Sequence, residues 1–184
     1  MPYSSDVWND DVRRVLRGLK PNARVLDIGA GAGKYGRMAR EERDDIGHLI
    51  AVEPTEKYIE QFGLRDVYDE ISTEDALNFL EGAAQHYDDY RFDLAILGDV
   101  LEHLRFSDGV DLLQMLSYRA ADIVVLTPPD CPQWFGPNNF ENHRSSWETA
   151  DFNRWRILYA GKRADVPLGV HILFIHMKGL FDGP

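Results

Sequence analysis

The stretch that decides the fold, residues 25–36, reads VLDIGAGAGKYG. A short apolar run that ends in an acid, Asp27, leads into three alternating glycines. This order is typical of a β-strand whose tight turn presents backbone N–H groups at the N-terminus of the next helix. The stretch therefore predicts a βα unit that forms a site for a nucleotide-type cofactor.

The position of Asp27 helps to decide which cofactor this is. Gly31, Gly33 and Gly36 also satisfy the dinucleotide fingerprint, which is weak evidence when it stands alone. A carboxylate two residues before Gly29 would repel a pyrophosphate, but it would attract an ammonium group and a sulfonium. S-adenosylmethionine carries both of these cations. The alternative interpretation is a glycine-rich turn with incidental acids.

A second acid follows the next apolar run. Residues 48–53 read HLIAVE, so Glu53 stands about twenty residues beyond the glycines. A carboxylate at this distance suits a ribose diol, because it can accept hydrogen bonds from both hydroxyls. This feature serves NAD and S-adenosylmethionine alike, and the choice between them rests on Asp27 and on the motifs downstream.

Composition limits the classes of function. The chain has 184 residues, and we expect one domain over residues 1–184. Its net charge of -11 disfavours nucleic acid and anionic membranes as partners. Cys131 is the only cysteine, which excludes an internal disulfide and favours a reducing, cytoplasmic setting. No stretch has the pattern of a signal peptide or the length of a membrane span.

Apolar runs alternate with helical patterns along the chain, which predicts a parallel sheet built from βα units. Strands are predicted at 23–28, 48–53, 67–71, 91–97 and 121–127, and helices at 34–43, 55–62, 74–86 and 108–118. An opening helix capped by Ser4 or Ser5 is expected to end at Leu19. Residues 169–178 read as a last strand.

The pattern D-x-G-x-G-x-G, with an acid after the second strand, resembles the class I S-adenosylmethionine-dependent methyltransferases, and the resemblance covers most of the chain. It implies a Rossmann-like, doubly wound α/β sheet of about seven strands, mostly parallel, with an antiparallel last strand. It also implies that Asp27 lies near the methionine ammonium group and that Glu53 binds the ribose. The backbone would approach the cofactor at Gly29, Gly31 and Gly33.

The resemblance implies a third acid, near the adenine amino group, within residues 72–76 (STEDA). Both Glu74 and Asp75 fit this position, and the sequence does not choose between them. We expect the other of the two to be an ordinary acid at a helix N-terminus, where the helix dipole stabilises it.

A second strong motif, residues 92–104, reads FDLAILGDVLEHL. A strand is expected to end before Gly98, at the edge of the sheet where ligands bind, so Gly98 and Asp99 are candidate cofactor contacts. If a helix begins here, Asp99, Glu102 and His103 share one face at i, i+3 and i+4. Two carboxylates and one imidazole would then favour Mg²⁺ or Mn²⁺.

His143 is the candidate fourth ligand, after Asp99, Glu102 and His103, because the chain returns over the same edge after the turn-rich residues 127–130. The alternative is that no metal binds. The segment DVLEHL also resembles methyltransferases in which the acid and the histidine only line the pocket or cap a helix.

Residues 138–155 resemble two groups within the family. The spacing H-R-x-x-W-x-x-x-D-F-x-x-W is similar to bacterial RNA 3′-terminal 2′-O-methyltransferases, which bind a metal through E-x-x-E-H and a later histidine, although Asp99 stands here in place of the first Glu. The stretch E-x-H-R-S-x-W resembles small methyltransferases of glycan and natural-product pathways, which we favour. Alternatively, Trp147, Phe152 and Trp155 form the buried face of the next helix.

These resemblances imply methyl transfer from S-adenosylmethionine to a hydroxyl, in preference to an amine, of a small polar or sugar-like acceptor. His143 is the first candidate for the general base and His103 the second. The alternatives are a metal-dependent RNA 3′-end methyltransferase, a non-catalytic cofactor-binding partner subunit and a nicotinamide-dependent oxidoreductase, which Asp27 disfavours. A homodimer is compatible with the sequence.

Overall fold

The protein is described by a computed structural model over residues 4–83, 91–137 and 139–180. Its strands are β1 (Arg24–Ile28), β2 (His48–Val52), β3 (Glu70–Ser72), β4 (Phe92–Gly98), β5 (Ala120–Thr127), β6 (Arg156–Asp165) and β7 (Val170–Lys178). Its helices are α1 (Asn9–Arg17), α2 (Lys34–Glu42), α3 (Glu56–Gln61), α4 (Ala76–Ala83) and α5 (Phe106–Ser117). Short 3-10 helices cover Leu64–Asp66, Leu101–His103 and Thr149–Phe152.

The strands form one sheet in the order β3-β2-β1-β4-β5-β7-β6. Strands β1 to β5 pair in parallel, and β7 runs antiparallel to both of its neighbours. The prediction of a mostly parallel, doubly wound sheet with an antiparallel last strand is therefore confirmed. The strand order reverses between β1 and β4, and such a switch point opens a crevice at the carboxyl ends of the strands.

Both faces of the sheet are buried, because successive side chains of a strand point to opposite faces. Val25 packs in the layer that contains α1, α2 and α3, whereas Leu26 packs in the layer that contains α4 and α5. Strands covered on both sides read as continuous apolar runs, as residues 92–98 do with every residue buried. Within the described ranges, none of the helices has the length and apolar character needed to cross a membrane.

Two predictions about local structure were wrong. The opening helix begins at Asn9 and ends at Arg17, and neither Ser4 nor Ser5 caps it. The Ser5 hydroxyl instead donates a hydrogen bond to the carboxylate of Asp165 in β6, a partner 160 residues away. Strand β6 itself was not predicted, because this edge strand is largely exposed and lacks the apolar face that marks a buried strand.

Trp147, Phe152 and Trp155 are buried, as predicted, but an α-helix does not carry them. Trp147 and Phe152 have no exposed surface, and Trp155 is 8% exposed. The local structure is the 3-10 helix Thr149–Phe152, closed by a capping box of Glu148 and Asp151. The predicted helix 74–86 appears as α4, and its last three positions, 84–86, lie outside the described residues.

Candidate active site

A cavity of about 400 Å³ opens at the carboxyl ends of β1, β2 and β4. This volume is within the usual range for a pocket that binds one small ligand. The predicted site residues that line it are Gly29, Gly31, Glu53, Asp75, Gly98, Asp99 and His103. Asp27, Gly33, Glu74, Glu102 and His143 do not belong to its wall.

The turn after β1 needs its glycines for two separate reasons. Gly29, Gly31 and Gly33 have φ values of 70°, 52° and 76°, in the left-handed region that side chains disfavour. A Cβ at Gly29 would also lie 2.6 Å from Cγ2 of Val100, in the segment after β4. The turn can therefore hold this close approach only with glycine.

Glu53 is held firmly at the end of β2. Only 4% of this residue is exposed. One carboxylate oxygen accepts a hydrogen bond from the N–H of Gly31, at 2.8 Å, and the other accepts one from the N–H of Thr55, also at 2.8 Å. Each carboxylate oxygen has a second lone pair, so the side chain retains the capacity to accept from a pair of ligand hydroxyls.

Asp27 lies outside the cavity wall and is 1% exposed. Its Oδ2 accepts a hydrogen bond from the Tyr68 hydroxyl at 2.5 Å, and that hydroxyl accepts one from the N–H of Gly36 at 3.2 Å. Burial raises the pKa of Asp27 to about 7, although the bond from Tyr68 opposes the rise. The sequence offered no signal for Tyr68, which supports the glycine turn from 41 residues away.

Of the two candidates for the third acid, the structure brings Asp75 to the cavity and leaves Glu74 outside its wall. Asp75 also caps α4, because its Oδ1 accepts from the N–H groups of Leu77 and Asn78, at 3.1 and 3.0 Å. Asp75 thus both lines the cavity and caps the helix.

The segment after β4 does not form the predicted helical face. Asp99 has a φ of 55°, and its N–H donates to the carbonyl of Leu126 at 2.9 Å. The helix begins only at Leu101 and is of the 3-10 type. Asp99 therefore leaves the i, i+3, i+4 register and lines the cavity instead. Burial raises the pKa of Asp99, and a hydrogen bond from Ser4 partly offsets this.

Three of the four predicted metal ligands do meet. One ligand atom each of Glu102, His103 and His143 lies within 4.8 Å of the other two, and within the described part of the chain Asp99 does not join this group. The prediction that Asp99 completes a four-residue cluster was wrong, because its left-handed backbone diverts the side chain. The donor set becomes two imidazoles and one carboxylate, which suits Zn²⁺ or another transition metal better than Mg²⁺.

Glu102 is fully buried. Its Oε2 accepts a hydrogen bond from the Thr127 hydroxyl at 2.8 Å, while its Oε1 has no hydrogen-bond partner among the residues that the structure describes. Burial raises the pKa of Glu102 well above its usual range, and the charge of Asp99 raises it further. A buried carboxyl oxygen without a partner is costly.

The two histidines touch each other beside the cavity. Their ring centroids are 4.9 Å apart, with the planes at 81°. His103 reaches the cavity wall, and burial followed by the neighbouring His143 lowers its pKa to about 4. Nδ1 of His143 donates to the carbonyl of Cys131, which leaves Nε2 as an acceptor, and burial lowers its pKa as well.

Asn142, which the sequence did not indicate, holds the loop that brings His143 to this place. It is 1% exposed. Its side chain accepts from the N–H of Phe135 at 2.7 Å and donates to the carbonyl of Gly136 at 2.6 Å. At the cavity mouth, the Tyr58 hydroxyl of α3 donates to Glu141 of the same loop at 3.0 Å.

Comparison with known proteins gives a consistent result. A family model described as a methyltransferase domain matches residues 26–117, half of the chain. No curated protein sequence matches. The N-methyltransferase NodS from Bradyrhizobium japonicum WM9 is similar in structure, with a TM-score of 0.66, 14% identity and coverage of 93% of each chain.

Two structures that contain bound S-adenosylhomocysteine are also similar. Magnesium protoporphyrin IX methyltransferase from Synechocystis PCC 6803 has a TM-score of 0.65 and 14% identity, over 93% of this chain and 83% of that one. The 1,6-didemethyltoxoflavin-N1-methyltransferase from Burkholderia thailandensis has a TM-score of 0.61 and 17% identity, over 95% and 81%. At these identities the likeness shows the fold alone.

Proposed function

We propose a reaction for this chain, which belongs to the class I S-adenosylmethionine-dependent methyltransferases. The reaction is methyl transfer to a hydroxyl, in preference to an amine, of a small polar or sugar-like acceptor. The observation that carries the proposal is the position of the His103 imidazole at the cavity wall, next to His143, and its lowered pKa keeps the ring uncharged. A hydroxyl must lose its proton during transfer, whereas an uncharged amine attacks before it loses one.

The cavity suits the cofactor chemically. Glu53 would accept from the ribose hydroxyls, and Asp75 from the adenine amino group. Asp99, with Gly98 beside it on the wall, would face the cationic methionine end. Asp27 would act indirectly: it holds the Tyr68 hydroxyl, which in turn accepts from the N–H of Gly36 beside the glycine turn. When bound, S-adenosylmethionine supplies a methyl group activated by its positively charged sulfur.

The residues of the chain would contribute alignment and a proton acceptor. The acceptor oxygen forms a bond to the methyl carbon as the bond from that carbon to sulfur breaks, and the hydroxyl proton passes to the imidazole of His103. We place His103 before His143 in this role because His103 lines the cavity and His143 is absent from its wall. His143 would then hold the ring of His103 in place.

A metal-assisted form of the reaction is the second candidate, and the unpartnered Oε1 of Glu102 favours it. Glu102, His103 and His143 would hold the ion, and two imidazoles with one carboxylate favour Zn²⁺ or Mn²⁺ over Mg²⁺. A bound divalent ion would lower the pKa of the acceptor hydroxyl. Titration with Zn²⁺ and Mn²⁺ should then show one binding site that Glu102→Gln removes. If the titration shows no site, the metal-assisted form is wrong.

Calorimetry tests the cofactor part of the proposal. S-adenosylhomocysteine should bind and NAD should not, and Glu53→Ala should weaken the binding by roughly 1 to 3 kcal/mol because ligand hydroxyls lose their acceptor. Turnover should then be measured with matched acceptors that differ only in a hydroxyl or an amine. Preferred methylation of the amines, or of a short RNA whose 3′ end is free rather than periodate-blocked, would contradict the proposed acceptor.

A further inference from the structure

The guanidinium group of Arg144 lies at the mouth of the cavity. Its side chain lines the cavity and is exposed. Across residues 4–83, 91–137 and 139–180, the guanidinium group makes no salt bridge and no hydrogen bond. The arginines of α1 and α2, in contrast, pair with acids or backbone carbonyls. A free guanidinium group beside a ligand cavity is suited to a planar oxyanion.

The main chain fixes Arg144 close to the proposed reaction centre. Its N–H donates to the carbonyl of Glu102 at 2.6 Å, so it is tied to the segment that carries His103.

An exposed ring completes this part of the mouth. Phe140 lines the same cavity and is 79% exposed, although a large apolar side chain usually avoids water. The loop that presents it is held from inside by the buried Asn142. The ring therefore stands on a preformed loop, which reduces the entropy lost when a ligand stacks on it.

We propose that the methyl acceptor carries one oxyanion, a carboxylate or a phosphate, on a ring, with Arg144 pairing with the anion and Phe140 packing against the ring. This inference rests on the proposed function and narrows its acceptor class. Asp108 and Glu141 also line the cavity, and the chain carries a net charge of -11, so a ligand with several anionic groups would be repelled. The acceptor therefore carries a single oxyanion group rather than the many phosphates of a nucleic acid chain.

Fragment binding to the protein saturated with S-adenosylhomocysteine tests this inference. The probes are benzoate, phenyl phosphate and benzamide, a neutral analogue of benzoate, and their dissociation constants are measured by NMR titration. We expect one of the two anions to bind with a dissociation constant on the order of a millimolar, and benzamide to bind at least roughly tenfold more weakly. The stronger anion identifies the group as carboxylate or phosphate.

Variants assign the binding to these two side chains. Arg144→Gln should weaken binding of the preferred anion at least roughly tenfold. Phe140→Ala should weaken binding of both anions and of benzamide by roughly threefold to tenfold. Arg154→Gln is the matched control, because Arg154 is exposed, stacks over Trp155 and lies outside the cavity wall. All three variants should bind S-adenosylhomocysteine as the wild type does, which also confirms that they fold.

The outcomes distinguish a failure of the proposed function from a failure of the inference about the acceptor. If S-adenosylhomocysteine does not bind, the proposed function fails, and this inference fails with it. If S-adenosylhomocysteine binds but neither anion does, or if Arg144→Gln binds the anions like wild type, only the inference about the acceptor is wrong. Equal binding of benzamide and benzoate would also overturn it.

Discussion

The turn after β1 and the loop at residues 139–146 line one cavity, as its cofactor wall and its acceptor wall, but they are specified in different ways. The turn depends on its own glycines and on Glu53, which bonds Gly31 from 22 residues away. The loop is held by the side chain of Asn142, which bonds Phe135 and Gly136, and by the N–H of Arg144, which bonds the carbonyl of Glu102. The cofactor wall thus contains glycines that a sequence motif reveals, whereas the acceptor wall is held by hydrogen bonds that no such motif reveals.

The largest expected effect comes from removing the candidate base beside the acceptor wall. His103→Gln should lower turnover by roughly 10² to 10⁴-fold, because no other imidazole lies on the described cavity wall, and it should leave binding of S-adenosylhomocysteine unchanged. Since the pKa of His103 is about 4, the wild-type kcat/KM should stay level as pH falls through 6.5 and decline only near 4. A decline near 6.5 would show that another group is the base.

Breaking the packing behind the same wall should cost stability. Trp147 is fully buried and stacks on Phe106 with centroids 4.4 Å apart. Trp147→Ala should lower the free energy of unfolding by about 3 to 5 kcal/mol, measured in urea. Trp134→Ala, at a site that is 70% exposed, is the control and should change it by less than about 0.5 kcal/mol. If Trp147→Phe folds well but loses turnover, the residue contacts substrate and is not simply core.

Breaking the cofactor wall should affect stability and ligand binding together. Gly29→Ala places a Cβ at a φ of 70° and 2.6 Å from Val100, so we expect a loss of about 1 to 3 kcal/mol in unfolding free energy and weaker binding of S-adenosylhomocysteine. Gly82→Ala, in α4, where an added Cβ would meet no described atom within 4 Å, should instead stabilise by roughly 0.5 to 1 kcal/mol. Normal binding by Gly29→Ala would mean that the turn tolerates a side chain.

The smallest effect, taken per pH unit, sharpens the account of Asp27. Its pKa is about 7 when folded and 3.8 in the reference state, so the folded protein retains a proton that the unfolded chain releases. Stability should therefore fall as pH rises from 4 to 7, by up to roughly 1.4 kcal/mol per pH unit relative to Asp27→Asn. Urea unfolding at several pH values measures this difference. The exposed control Asp10→Asn should follow the wild type, and parallel curves for Asp27→Asn would contradict the shift.

The parts of the fold that the sequence predicted are those with a local physical cause. Continuous apolar runs gave the buried strands, and alternating glycines gave the turn that requires positive φ. The edge strand β6 was missed because backbone pairing with β7, rather than an apolar pattern, holds it in the sheet. The Ser5 cap was wrong because the hydroxyl found a partner in Asp165, which no local rule could reveal.

The sequence by itself determined the α/β sheet and the glycine turn after β1, since both follow from the periodicity and turn chemistry of short segments. Only the tertiary structure decided that Asp75 rather than Glu74 faces the cavity, and that His103 rather than His143 reaches its wall. It also removed Asp99 from the cluster around Glu102. These outcomes depend on the direction of single side chains, which distant contacts set, and spacing along the chain does not encode direction once the backbone leaves a regular helix.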